Sequence, residues 1–210
     1  MAKLLHVNSS PRGESSKSLA IAHTFLDTYQ MRHPELKVDT WDLFQEPLPN
    51  YATDAAAAKM AAFARQKLSP EQEMEWARCK IVYDRFVEAD EYLFNVPMWN
   101  HGVPYPLKQW IDIITQPGWV FDFHPEHGYQ GLVKRKRAFV IYTSGVYQTG
   151  GRPGFGADFH AKFFNDWLRF IGITEVTDLY YSGYDLLSPE QAAVAYKATQ
   201  TRAQELASVW

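Results

Sequence analysis

From His6 to Phe25 the chain reads HVNSSPRGESSKSLAIAHTF, a serine-rich loop holding one glycine, Gly13, between an apolar start and a run of helical spacing. A strand that turns through small polar residues into a helix leaves backbone N–H groups and the positive end of the helix dipole facing one point. The chemistry on offer is therefore anion binding, with phosphate as the first candidate. The loop matches none of the common phosphate spellings. A nucleotide triphosphatase loop needs two glycines and then Gly-Lys-Ser/Thr, whereas Lys17 stands between Ser16 and Ser18. A phosphatase of low molecular weight needs a nucleophilic cysteine here, and the only cysteine, Cys79, falls in an amphipathic helical stretch where packing is its ordinary role. The G-x-G-x-x-G of a dinucleotide site is absent, and a plain serine helix cap stays open as the alternative.

Two more loops carry groups suited to a flat ring. PMWNHGVPYP, residues 97–106, sets a thioether, an indole, an amide and an imidazole side by side, and amides can pair with a heterocycle of alternating donors and acceptors. SGVYQTGGRPGFG, residues 144–156, adds glycine-rich backbone and is expected to form a loop over the site, with Phe155 or Phe159 near its end. Other residues are discounted. His124 and His127 in HPEH are separated by Pro125, which prevents a regular helical display, and no further ligand completes a zinc set, so no metal is expected. The KRKR run, Lys134 to Arg137, reads as a solvated lead-in to a strand.

These loops need a frame. Strand-like runs at Lys3–Val7, Leu36–Leu43, Glu91–Val96, Arg137–Thr143 and Glu175–Gly183 alternate with longer helical stretches, which argues for a five-stranded parallel sheet covered on both faces, an α/β/α three-layer sandwich. In such sheets ligands lie outside the carboxyl ends of the strands, where strand order reverses, and all three loops follow strands. Between Leu43 and Asp90 there is room for two helices, the second entered through Ser69 and Pro70. With 210 residues and no linker or repeat, a single domain over residues 1–210 is expected. A net charge of −3 gives no footprint for nucleic acid or an anionic membrane, and no run is apolar enough to span a bilayer. One cysteine fits a reducing, cytoplasmic setting.

NSSPRGESSKS, then PMWNHGVPYPLKQWID, then VIYTSG, with GLVKRKRAFVIYTS and FIGITEV, resembles the FMN-dependent NADH azoreductases along nearly the whole chain. The middle motif is the most diagnostic. The resemblance implies a flavodoxin-like fold, non-covalent FMN, NADH or NADPH as hydride donor, and two-electron ping-pong reduction of quinones and azo compounds by a homodimer. It implies that Ser10, Ser16, Lys17 and Ser18 hold the FMN phosphate. Met98, Trp99, Asn100 and His101 would line the isoalloxazine, with Ser144, Gly145, Val146 and Tyr147 at its other edge. Trp99, Phe121, Tyr147 and Trp167 are expected to wall the substrate space. No side chain need act as a catalytic acid or base, since a flavin carries the redox chemistry itself. Protons would come from water, Tyr147 or His101. The run after Ser144 departs from the common Ser-Arg-Gly-Gly form, and Trp99 and His101 stand where tyrosine and phenylalanine are usual. Within flavoproteins the rival is a one-electron carrier of the flavodoxin type, and outside enzymes an FMN-binding module. The absence of a marked acidic surplus for docking redox partners speaks against the carrier.

Overall fold

Strand β1 (Lys3–Asn8) is buried on both faces, as are β3 (Glu91–Pro97) and β6 (Arg137–Ser144), which is why their sequences read as continuous apolar runs instead of alternating ones. The computed structural model, which describes residues 2–148, 151 and 153–210, places these three at the centre of a parallel sheet. Its strand order is β2 (Lys37–Asp42), β1, β3, β6, β7 (Glu175–Ser182), and the half-exposed β2 and β7 form the edges. The order reverses between β1 and β3. The expected five strands and their direction are all found, with β2 one residue shorter at each end than the sequence suggested.

Helix α1 (Lys17–Arg32) and helix α6 (Pro189–Val209) cover one face. Their Ile21, Phe25, Leu26 and Ala203 pack with Leu4, Leu93, Phe139 and Ile141 of the sheet. The other face carries α3 (Pro70–Val87), α4 (Tyr105–Ile114) and α5 (Ala161–Ile171), whose Phe86, Trp110, Phe164 and Trp167 meet Leu5, Val7, Phe94 and Tyr142. The two faces follow from period-two alternation: Leu4 and His6 point toward α1, Leu5 and Val7 away from it. Helix α2 (Thr53–Phe63) precedes α3, which opens with Ser69 and Gln72 in a reciprocal capping box and Pro70 in the first turn, as its sequence predicts.

One element has no counterpart in the sequence reading. Strands β4 (Phe121–His124) and β5 (Gly128–Gly131) form an antiparallel hairpin apart from the main sheet. It docks backbone to backbone on the end of α5: a Cβ on Gly131 would lie 2.3 Å from the Gly172 nitrogen, and Gly172 itself has φ +107°. Only residues without side chains permit that approach.

Candidate functional site

The carboxyl ends of β1, β3 and β6 bring the three loops together. Ser9 Oγ donates to the Asn95 carbonyl at 2.7 Å, which ties the first loop to β3. Met98 N–H donates to the Thr143 carbonyl at 2.7 Å, which ties the second loop to β6. His101 C=O accepts from Phe159 N–H at 3.1 Å and His101 Nδ1 from Ala157 N–H at 3.4 Å, which ties the second loop to the tail of the third. Residues 157 and 159, just after the third loop, contact His101, while Thr149, Gly150 and Arg152 of the loop lie outside the described residues.

In the first loop a short 3₁₀ turn, Gly13–Ser15, delivers Ser16 to the N-cap of α1. Ser16 Oγ accepts from Leu19 N–H at 3.2 Å and its carbonyl from Ala20 N–H at 3.0 Å. The N–H groups of Lys17 and Ser18, in the first turn, have no acceptor among the described residues. Ser10, Ser16 and Ser18 are all buried, and the Ser16 and Ser18 hydroxyls lie 3.1 Å apart. Buried hydroxyls and free N–H groups at the start of a 16-residue helix form a donor set for an anion. The Lys17 ammonium lies 4.5 Å from the centre of the Tyr196 ring on α6, so it is the backbone N–H of Lys17 that faces the loop.

Behind these serines stands a polar cluster that the motif comparison passed over. Asn8 and Asn95 are direct partners in the β1–β3 register, and Asn8 also faces Asp42 on β2. Asn8 Nδ2 donates to Asp42 Oδ2 at 2.8 Å, and Ser10 N–H donates to Asn8 Oδ1 at 3.1 Å. Asn95 Nδ2 donates to Asn8 Oδ1 at 2.7 Å and to Ser18 Oγ at 3.3 Å. His6 Nε2, fully buried, is 2.8 Å from Asn95 Oδ1. Burial holds the His6 imidazole at a pKa of about 4, with His23 pushing the same way and the Asn95 bond and Asp42 opposing, so the ring is neutral at pH 7. The available signal was polar residues at alternate positions of otherwise buried strands, His6 and Asn8 on β1 and Asn95 on β3.

The second loop is a tight turn. Trp99 and Gly102 exchange N–H···O=C bonds at 2.9 Å each way, and between them Asn100 and His101 have φ of +48° and +68°. Two consecutive left-handed residues define a type I′ turn, for which asparagine is a favoured first residue and histidine an uncommon second. The turn leaves the Trp99 indole half-exposed. In the third loop Ser144 Oγ donates to the Tyr147 carbonyl at 2.6 Å, Val146 is exposed and Tyr147 partly so. At Gly145 a Cβ would sit 2.0 Å from Asp185 Oδ2, so a side chain there would displace the carboxylate of Asp185, whose backbone N–H is bonded to the Gly145 carbonyl.

Two residues expected in the substrate wall do not reach this region from within the chain. Trp167 is buried in the core beneath α5, its indole N–H donating to Thr115 Oγ1 at 3.0 Å. Phe121 lies in the hairpin against Phe170, at the end of α5 that leads into the amino end of β7. Both were chosen as aromatic, and the core absorbed them. His124 and His127, by contrast, do come together: Pro125 helps form the hairpin turn, His127 N–H bonds the His124 carbonyl, and with Glu126 their ligand atoms lie within 4.8 Å. The two rings are stacked, 4.9 Å apart and 19° from parallel. In the KRKR run Lys136 and Arg137 are engaged, Lys136 with the carbonyls of Val87 and Ala89 and Arg137 with Glu91 and Tyr29. That departs from the expected solvated lead-in.

A parallel sheet ordered 2-1-3-4-5 by its own strands, with a helix start carrying free backbone N–H groups at the switch between the first and third, defines the flavodoxin-like architecture. The family model described as flavodoxin-like fold matches residues 2–206, and the chain belongs to that family. It is 44% identical over 192 residues to the FMN-dependent NADH:quinone oxidoreductase of Ruegeria pomeroyi, covering 91% of this chain and 94% of that protein. To FMN-dependent NADH:quinone oxidoreductase 3 of Pseudomonas fluorescens it is 34% identical, covering 99% and 96% of the two. Among solved structures, the azoreductase of Bacillus anthracis superposes with a TM-score of 0.89 at 27% identity, covering both chains entirely.

Proposed function

We propose that this chain is an FMN-dependent oxidoreductase that carries two electrons from NADH or NADPH to a quinone or an azo compound. The observation that carries the reading is the donor set at the β1–β3 switch, buried hydroxyls and unpaired N–H groups at the start of α1, with an aromatic turn beside it. Its fit to a phosphate-bearing cofactor is good, since every group facing the loop from Ser16 to Ser18 can donate. The Ser10, Ser16 and Ser18 hydroxyls with the Lys17 and Ser18 N–H groups would hold the FMN phosphate, and Met98, Trp99, Asn100 and His101, with Ser144, Gly145, Val146 and Tyr147, would border its ring. FMN, when bound, supplies the group that accepts and returns a hydride. The protein's part is orientation and charge. Backbone N–H groups of the third loop are suited to negative charge at the ring edge, and the exposed Trp99 indole to stacking a flat acceptor. His101 Nδ1 accepts from Ala157, which leaves Nε2 as the ring's own N–H and the atom able to pass a proton.

Anaerobic stopped-flow absorbance tests the reading. NADH or NADPH is expected to bleach the bound flavin and benzoquinone to restore it, with donor and acceptor excluding one another as in ping-pong turnover. If neither nucleotide bleaches it, the one-electron carrier replaces the reductase. Residues 1–210 would act as one domain, in the cytoplasm, given a single cysteine and no described helix long and apolar enough to cross a membrane. The functional unit is a homodimer in this reading, supported by Phe63, Phe123 and Tyr129, which stay exposed together between α2 and the hairpin. Sedimentation giving a fully active monomer at micromolar concentration removes the dimer.

A further inference from the structure

We infer that Asn95 is a positioning residue for the cofactor phosphate: it fixes which way the Ser18 and Ser16 hydroxyls point, and so keeps one O–H free to donate to the anion. The inference rests on the FMN reading above and adds a residue that does not itself face the loop opening.

Its basis is that the direction of every hydrogen bond from Asp42 to Ser18 is determined. The Asp42 carboxylate only accepts, so Asn8 must present Nδ2 to it. Ser10 N–H only donates, so it meets Asn8 Oδ1, which agrees with that orientation. Asn95 therefore faces Asn8 Oδ1 with its own Nδ2, at 2.7 Å, and its Oδ1 is turned to His6. His6 must then carry its proton on Nε2, and the buried Nδ1 is a bare lone pair without a partner among the described residues. The second N–H of Asn95 ends on Ser18 Oγ at 3.3 Å, so that oxygen is an acceptor on its inner side. Ser16 Oγ is an acceptor too, from Leu19 N–H.

Between the two serines one O–H serves the 3.1 Å contact. The other has no acceptor among the described residues and is left as a donor. Were Asn95 reversed, its oxygen would face both Asn8 Oδ1 and Ser18 Oγ, and Ser18 would spend its proton inward. Donation at the β1–β3 switch thus runs inward from Asn95 through Asn8 to the Asp42 carboxylate and outward from Asn95 to Ser18, which leaves one serine O–H free to donate to an anion in the loop.

The test compares FMN with riboflavin, which shares the ring and lacks the phosphate, by calorimetry on the apo-protein. In Asn95→Leu, FMN affinity is expected to fall about tenfold, as for loss of one aligned bond to a charged group, with riboflavin affinity changed less than about twofold. Added to Ser18→Ala, Asn95→Leu is expected to cause no further loss, because the hydroxyl it orients is gone. Equal losses for FMN and riboflavin, no loss for either, or full additivity with Ser18→Ala would each overturn the positioning role. Asn95→Asp keeps the shape while replacing the donor with an acceptor, and covers the case in which the leucine variant does not fold: it too must lose FMN selectively. A wild-type protein that binds neither flavin would instead sink the FMN reading itself.

Discussion

The buried His6 makes acid stability the sharpest quantity to examine. Its imidazole, packed between β1 and α1 with Asn95 on one side, His23 on α1 and Asp42 on β2 nearby, has its pKa lowered by burial from 6.5 to about 4. A depressed histidine favours the folded state wherever the ring is neutral in both states, above the unfolded value. As pH falls below about 6.5 the unfolded chain binds a proton that the folded chain refuses, so stability drops until the folded ring also titrates, near pH 4. The full span is about 3 kcal/mol, and most of it, about 2–3 kcal/mol, is lost by pH 4.5. For a chain of this size that corresponds to a fall in Tm on the order of 5–10 °C. Carboxylates titrate in the same range, so the quantity to measure is a difference. Urea unfolding of the wild type and of His6→Leu, at pH 7 and pH 4.5, should show the wild type losing about 2–3 kcal/mol more than the variant. The variant starts lower, because Asn95 Oδ1 loses its partner, but that cost does not depend on pH. Parallel losses in the two proteins would refute the argument and mean that the ring is charged or hydrated in the fold.

The remaining expectations concern the site and the hairpin. Replacing Ser16 and Ser18 together by alanine should weaken FMN binding by about 1–3 kcal/mol in calorimetry while far-UV circular dichroism stays native; unchanged affinity would exclude this anchor. Gly172→Ala forces a side chain onto φ +107° with its Cβ 2.7 Å from the Val133 carbonyl, and should destabilise the fold by roughly 1–3 kcal/mol in urea. An unaltered unfolding midpoint would mean that the hairpin moves freely off α5.

Sequence patterning revealed this fold because each strand had only one way to be satisfied. The mostly apolar, buried runs of β1, β3 and β6 demand cover on both faces, long connections supply the helices, and Ser69-Pro70 punctuates α3 without help from tertiary structure. The hairpin had no comparable signature. FDFH and GYQG are four residues each, mostly polar or exposed, and exist because two glycines let them lie on the end of α5, a contact 41 positions apart for Gly131 and Gly172 that no local pattern encodes. At the site the same division holds. Motif spacing located the Ser16–Ser18 helix start and the Trp99–His101 turn, whose chemistry is local. It did not foresee where the Lys17, Phe121 and Trp167 side chains lie within the chain, because charge and aromaticity say what a side chain can do and not where it points: the Lys17 ammonium lies over Tyr196 and both rings are buried in the core. It also passed over His6, Asn8 and Asn95, whose role depends on strand register. A polar residue on a buried strand face costs free energy unless it is paired, so two such residues on β1 and one on β3 can be tolerated only if the register brings them together. The Asn8–Asn95 pairing does so at the reversal of strand order, beside the start of α1, and the cost of burying His6, Asn8 and Asn95 is offset by the hydrogen bonds they make to one another and to Asp42 and Ser18.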